Sequence, residues 1–483
     1  MQKSYQLLFT ISLCLFLSNC NNSYLDIFPD LDDPALMERT IAPELLKQDI
    51  QAFYQGALDR HPNLDSYANK KELESAVKEL QAKISEPMSR LEFYKIVGQL
   101  THYFNDGHSM LIWPYQEYEN AKAEGGKPFP FEVKITPQKS VIIDNSYSFQ
   151  SKKVTIEIPA GSEITAINGI SMVVMLETMQ RYVGGESQYL REQFLANRFS
   201  LYLWSVFSLM NNFEIELSFE QVTNNISIDA LQHWEKQESK NNDNEVNDHK
   251  NTLEKDFYFK KLKQNVGYLY IGHFDVDIDW FEKFIDNTFE VIKKNNYESL
   301  IIDIRDNTGG NTVTATYLAS YLATKKFKMI SKMTEKLNVD NRGFLNYKGQ
   351  VGELLESEWD DWVAPVDSDN IYTGQTYLLI SPITYSAGIV FATSLKDNKM
   401  ATLIGRQTGG NANQTAQGNL FNLPNSQLRA YITTRMLVRP SGAATSGGVK
   451  PDFEVIPTVT TISAEKDIEI EKALELIHLN SKL

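Results

Sequence analysis

Residues Tyr377 to Phe391 read YLLISPITYSAGIVF, an apolar run that breaks at Ser381-Pro382 and resumes just beyond Ser386. The run before the break has the character of a buried strand, and the run after it that of a helix. A serine on such a strand-to-helix turn is exposed, and the unpaired N–H groups of the first helical turn lie beside it, as nucleophilic catalysis with oxyanion stabilisation requires. Ala387 and Gly388 are small enough to admit a substrate carbonyl. The same serine also suits a plain helix N-cap, so the rest of the chain must decide between the two readings.

Apolar strand candidates alternate with helical patterns from Phe257 onward. VGYLYIG precedes a helix over Trp280 to Asn295, SLIIDIR a helix over Thr314 to Thr324, and TYLLISP a helix over Ala387 to Leu395, followed by ATLIG and a last helix over Ala464 to Leu479. Strands that are apolar throughout and separated by helices predict a largely parallel α/β sheet covered on both faces. SLIIDIR runs into Asp306-Asn307-Thr308-Gly309-Gly310-Asn311. A glycine pair at the carboxyl end of a buried strand exposes backbone N–H groups in the crevice where open α/β sheets bind ligands. No Gly-Lys-Ser/Thr follows, which argues against a nucleotide loop and for a second oxyanion donor facing Ser386.

Upstream, Ala35 to about His102 is helical by period. Leu45, Leu46, Ile50, Phe53, Tyr54 and Leu58 form one apolar stripe and Leu73, Val77, Leu80 and Ile84 another. Leu91, Phe93, Ile96, Val97 and Leu100 form a third, with Ser89 and Glu92 as a capping box. A helical bundle over 34–112 is expected. It ends in Asp106-Gly107-His108, where the glycine suits a helix C-cap and the histidine either a surface turn or a site. Between Pro128 and about Phe219 the period shifts toward two, with FEVKIT and KVTIEI as strands and Asn168-Gly169 as a tight turn before a helix. Residues 226–256 are rich in Asn, Lys, Glu and Asp and read as a solvated linker of mixed charge.

A chain of 483 residues is too long for one core. Its 42% hydrophobic content excludes wholesale disorder, and a net charge of −15 excludes a phosphate-binding basic surface and hence a nucleic-acid partner. The seven histidines show no His-x-x-x-His spacing, so no metal or other cofactor is expected. Lys3 followed by the apolar run Leu7 to Leu17 reads as a signal peptide over 1–19. Cys14 and Cys20 are the only cysteines, so a mature chain starting at Cys20 has no thiol chemistry beyond its first residue. The ending Leu17-Ser18-Asn19-Cys20 resembles a bacterial lipoprotein processing box, with Asn19 in place of the usual small residue. That resemblance implies a lipidated Cys20, a tether over 20–33, a membrane attachment and a cell-envelope location. An ordinary secretory signal cut nearby is the alternative.

Five short motifs in order, IIDIRDNTGG, TYSAG, LIGRQTGG, GGVKPD and the upstream DGH, resemble those of the tail-specific, or C-terminal processing, serine peptidases. The resemblance implies a ClpP/crotonase-like α/β peptidase core over 257–483, a PDZ-like β-rich domain over 113–225, and a peptide or protein substrate. It implies Ser386 as nucleophile and Gly309, Gly310 and Ala387 as oxyanion donors. In one branch of the family a lysine follows the Gly-x-x-Thr-x-Gly loop as base; this chain has Asn411, which takes no proton near neutral pH. The other branch, similar to the tricorn core protease, uses a histidine, matched by His108, and a supporting glutamate, whose position is Thr445. Asp106 is the other candidate to orient His108. With both usual positions altered, a catalytically impaired, peptide- or ligand-binding protein is the alternative function.

Overall fold

The computed structural model describes residues 27–151, 154–229, 235–236, 255–464 and 466–480. The expected signal peptide over 1–19, Cys20 and most of the expected 226–256 linker lie outside the described residues.

Helices Pro43–Arg60, Lys70–Ala82 and Arg90–Val97 pack their stripes together, and the 3-10 turn Gly98–Phe104 closes the group. The Ser89–Glu92 capping box forms, and Phe53 meets Phe104 edge-on at 5.3 Å. Leu45, counted in the first stripe, is 40% exposed, since it lies one step round the helix from Leu46. Residues 27–33, read as the end of a tether, lie against this part. The Phe28 ring sits on Trp113 and Tyr115, and the Tyr115 hydroxyl donates to the Pro29 carbonyl.

The region after it holds an antiparallel sheet of Val133–Ile135, Val141–Ile143, Glu163–Ile167, Asn212–Phe219 and Val222–Asp229 in that order. Asn168 and Gly169 both take positive φ, 50° and 76°, which is why the tight turn uses that pair. The period-two reading misses two helices in this region, Gln188–Asn197 and Phe199–Phe207. The second is apolar almost all round and buried on nearly every side, so its helical period is invisible.

The C-terminal half is built on a sheet ordered Phe257–Leu262, Val266–Ile271, Ser299–Asp303, Gln375–Ile380, Thr402–Gly405, Phe453–Glu454, parallel except for its first pair. Alternate residues point to opposite faces. Leu300, Ile302, Leu378 and Ile380 enter the main core, while Ile301, Tyr377, Leu379 and Ile404 meet Ala473 and Ile477 of the C-terminal helix Ile468–Asn480. Both faces are thus covered, and the parallel α/β expectation holds. Helix starts differ where caps decide them: Asp277 starts Ile278–Lys294 and Asn311 starts Thr312–Leu322, each side chain accepting an N–H of the first turn.

A second, antiparallel sheet escaped the sequence reading. The long strand Arg429–Val438 pairs with Gln414–Asn422 along one edge, and with Ser109–Leu111 and Lys332–Lys336 along the other. It is this sheet that carries the end of the N-terminal helical part into the C-terminal half of the molecule.

Candidate active site

Ser386 stands between the strand Gln375–Ile380 and the helix Ala387–Asp397. Its φ of 52° and ψ of −120° put a non-glycine residue in a costly region of backbone space. The turn is held there by cross-bonds. Ser381 Oγ donates to the Arg305 carbonyl, Thr384 Oγ1 to the Ile304 carbonyl, and the Tyr385 N–H to the Asn307 carbonyl at 3.0 Å. The Ser386 side chain makes no capping bond to its helix, which removes the plain N-cap reading. Instead Ser386 opens, with Ala387 and Gly310, into a cleft of about 850 Å³.

Gly309 and Gly310 have φ of 114° and 126°. A Cβ on Gly309 would fall 2.5 Å from Ser386 Cβ, and one on Gly310 2.1 Å from the Asp275 nitrogen, so both positions exclude a side chain. The Gly309 N–H already donates to Asn307 Oδ1 at 2.9 Å. Among the described residues no acceptor meets the N–H of Gly310 or of Ala387, and these two are the donors left for an oxyanion.

His108 comes from the other sheet. Ser109, next to it, pairs with Ile432, and Thr415 lies on the neighbouring strand. His108 Nδ1 is 3.1 Å from Thr415 Oγ1 and 3.0 Å from the Tyr385 hydroxyl, and its ring stacks on the Tyr385 ring at 4.6 Å. His108 Nε2 is buried and meets no hydrogen-bond partner among the described residues, so no bond to Ser386 is formed. Catalytic hydrogen bonds of this kind commonly tighten only when substrate is bound.

Asp106 is fully buried. It accepts from Thr415 Oγ1 and from the His108 N–H through Oδ1, and from Ser109 Oγ through Oδ2, with His61 Nε2 3.4 Å away. Burial alone would raise its pKa; the interactions with His61, His108 and Ser109 outweigh that and hold it at about 2. An ionised Asp106 only accepts, so Thr415 must give it the hydroxyl proton. The Thr415 oxygen then accepts from His108, which fixes the imidazole as the Nδ1–H tautomer with its lone pair on Nε2. Burial lowers the His108 pKa and the Asp106 charge opposes that only in part.

Thr445 lies elsewhere, on an exposed loop, where its hydroxyl accepts from Arg439 Nη1 at 3.4 Å. The threonine that touches His108 is Thr415, thirty positions earlier, because the strand Gln414–Asn422 crosses the imidazole and the 441–447 loop does not. Asn411 lies by the Tyr67 hydroxyl, where its side chain partly offsets the rise that burial causes in the Tyr67 pKa. Sequence reasoning also missed Glu186, whose Oε1 accepts from the Tyr385 hydroxyl at 2.8 Å. Burial, and next the Asp106 charge, push its carboxyl up to about 8. His61 had a signal, the His-Pro-Asn stop of the first helix; Glu186 and Thr415 had none.

A strained serine at the mouth of a parallel α/β sheet, beside free backbone donors, is the arrangement of a serine-type peptidase. Residues 265–455 match the model of Peptidase family S41, so this part of the chain is similar to the core of that family. The fold extends beyond the matched segment. It is similar to that of a point mutant of CPAF, 15% identical, with a TM-score of 0.63 over 87% of this chain and 95% of that one. Mature CPAF complexed with lactacystin gives 15% identity and a TM-score of 0.61 over 90% and 98%, and mature CPAF alone 15% and 0.57 over 87% and 94%.

Proposed function

We propose that this peptidase hydrolyses peptide bonds through Ser386, with His108 as general base and later general acid. The observation that carries the reading is the chain of contacts from His108 Nδ1 through Thr415 Oγ1 to the buried Asp106; with Asp106 ionised it leaves the Nε2 lone pair free. His108 Nε2 takes the proton as Ser386 Oγ attacks the carbonyl carbon, and the N–H groups of Gly310 and Ala387 hold the oxyanion. The imidazolium returns its proton to the leaving amine, and water, activated by the same nitrogen, releases the acyl group. This is the histidine-dependent, tricorn-like branch of the family rather than the lysine-dependent one.

The cleft beyond Ser386 is walled by Met329, Ile330, Met333, Val363 and Leu437, with Trp359 at its edge. Such walls suit substrates with an apolar side chain next to the scissile bond. A serine-directed phosphonate bearing an apolar side chain is therefore expected to leave its adduct on Ser386 in the wild-type protein and to leave none in His108→Ala. An adduct found on another residue, or equal labelling of His108→Ala, would overturn the assignment. Because neutral His108 is the reactive form and its pKa is lowered, labelling should stay above half its maximum below the usual histidine midpoint of about 6.5.

A second reading, a peptide-binding protein without hydrolysis, has one observation behind it: among the described residues no carboxylate hydrogen-bonds the imidazole directly. A wild-type protein inert to the phosphonate would favour it.

For location, the Leu17-Ser18-Asn19-Cys20 segment supports a lipid anchor in the cell envelope. Cells fed radiolabelled palmitate should transfer label to the wild-type chain and not to Cys20→Ser. Equal labelling of both would exclude the anchor.

A further inference from the structure

The imidazole of His108 has two hydroxyl neighbours on the same nitrogen, and behind each stands a buried carboxyl group. On one side Thr415 Oγ1 joins Nδ1 to Asp106; on the other the Tyr385 hydroxyl joins it to Glu186 Oε1. With Nδ1 already a donor, the Tyr385 proton goes to Glu186 and its oxygen faces the imidazole N–H. We propose that Glu186 is a positioning residue for His108, acting through Tyr385, so that two hydroxyl-bridged carboxyl groups replace the single carboxylate in direct contact. This rests on His108 being the base of Ser386.

The setting favours a dedicated arm over incidental packing. Gly184 lies where a Cβ would fall 2.5 Å from the Asp106 carbonyl oxygen, so the segment carrying Glu186 is pressed against the Asp106–His108 turn. The segment is fixed beyond that point too, by Ser187 Oγ to the Gly409 carbonyl and by Arg191 to the Gly185 carbonyl. Tyr385 cannot swing away. Its ring fills the space that a side chain on Gly107 or Gly410 would need, and Phe194 meets it edge-on at 5.2 Å. Glu186 Oε2 is buried without a partner, an expensive arrangement for a residue with only a packing role. The charged or titratable groups facing Glu186 are Asp106, Tyr385, Tyr67 and Arg191, with His108 beyond Tyr385.

At neutral pH Glu186 accepts from Tyr385 as a neutral acid. As it ionises near about 8, the phenol becomes more polarised and its oxygen a better acceptor for the His108 N–H, which favours the imidazolium formed during reaction. The same group affects folding in a defined direction. A carboxyl raised from about 4.3 in the unfolded chain to about 8 in the folded one loses stability as pH rises through that interval. Glu186→Gln keeps the acceptor and removes this loss.

The test is peptide hydrolysis by the full chain between about pH 6 and about pH 10, with thermal unfolding alongside. Tyr385→Phe is expected to lower kcat about tenfold or more with KM within about twofold. Glu186→Gln should remove the alkaline rise in kcat, and should raise the unfolding midpoint above about pH 5. In the Tyr385→Phe background Glu186→Gln should change kcat no further, because the bridge is gone. A Glu186→Gln profile that superimposes on wild type overturns the proposal. So does an equal loss in both backgrounds, or a lowered midpoint with kcat and KM both damaged. Should Glu186→Gln not fold, Tyr385→Phe decides alone: kcat within about twofold of wild type overturns it. Ser386→Ala separates the two levels of argument. If it still hydrolyses peptide, the Ser386 reading fails; if it is silent and Glu186→Gln is unchanged, only the role of Glu186 fails.

Discussion

Ser386→Ala should lower kcat on any peptide substrate by at least about 10⁴-fold while leaving the protein folded. The size follows from what is removed. The proposed oxyanion donors, the N–H groups of Gly310 and Ala387, belong to the backbone and survive the change, so binding and residual polarisation of the carbonyl should persist without a nucleophile. KM, or the affinity for a non-cleaved peptide, should therefore change little. The strained backbone at position 386 is held by the Ser381, Thr384 and Tyr385 cross-bonds and not by the serine hydroxyl, so alanine inherits the same φ and ψ. Stability should stay within about 1 kcal/mol of wild type. Turnover of peptide by the variant at wild-type rate, measured on protein free of the native enzyme, would sink the assignment.

Asp106→Ala should be nearly as damaging, for a different reason, and should also cost stability. Without the carboxylate, Thr415 has no acceptor on its far side and turns its proton toward His108 Nδ1. The imidazole proton then moves to Nε2 and the lone pair facing the reaction is gone. A tautomer in the wrong sense is worth roughly 10²–10⁴ in kcat. Stability should fall by about 3–5 kcal/mol at neutral pH, because His61, Ser109 and Thr415 lose a buried partner together. The sign with pH is fixed by the depressed pKa. The contribution of Asp106 is fully present above the unfolded value of about 3.9 and is lost as pH falls toward about 2. The gap between variant and wild type in urea unfolding should therefore narrow, by about 2.6 kcal/mol, over that interval. A gap that stays constant down to acid, or a kcat within tenfold of wild type, would exclude this role.

The two predictions separate what each half of the site contributes. In the proposed mechanism Ser386 Oγ is the atom that reacts, and Asp106 acts at one remove through a hydroxyl. That second arrangement also answers the difficulty raised by Asn411 and Thr445. Neither stands in for the missing lysine or glutamate by position, and the carboxyl groups near His108 come from other parts of the chain. Their distance from the imidazole, one hydroxyl each, is the feature by which the site departs from a direct carboxylate–imidazole pair.

Local sequence was enough for the parts of the molecule whose physics is local. The strand-to-helix break at Ser386, the glycine pair 309–310, the Asn168-Gly169 turn and the Ser89 capping box each follow from backbone geometry within a few residues. So does the parallel sheet, because strands apolar on both faces must be covered on both. Apart from Asp106, which the sequence already offered, the tertiary structure alone decided the surroundings of His108. Thr415 is 307 positions from it, and Glu186 is 199 from Tyr385, brought together by the strand Arg429–Val438 and by a helix-bearing segment with no readable period. Hydrogen-bond direction is a property of that assembled cluster: the proton on Nδ1 is set by an acid two groups away, and no stretch of the chain read by itself contains that information.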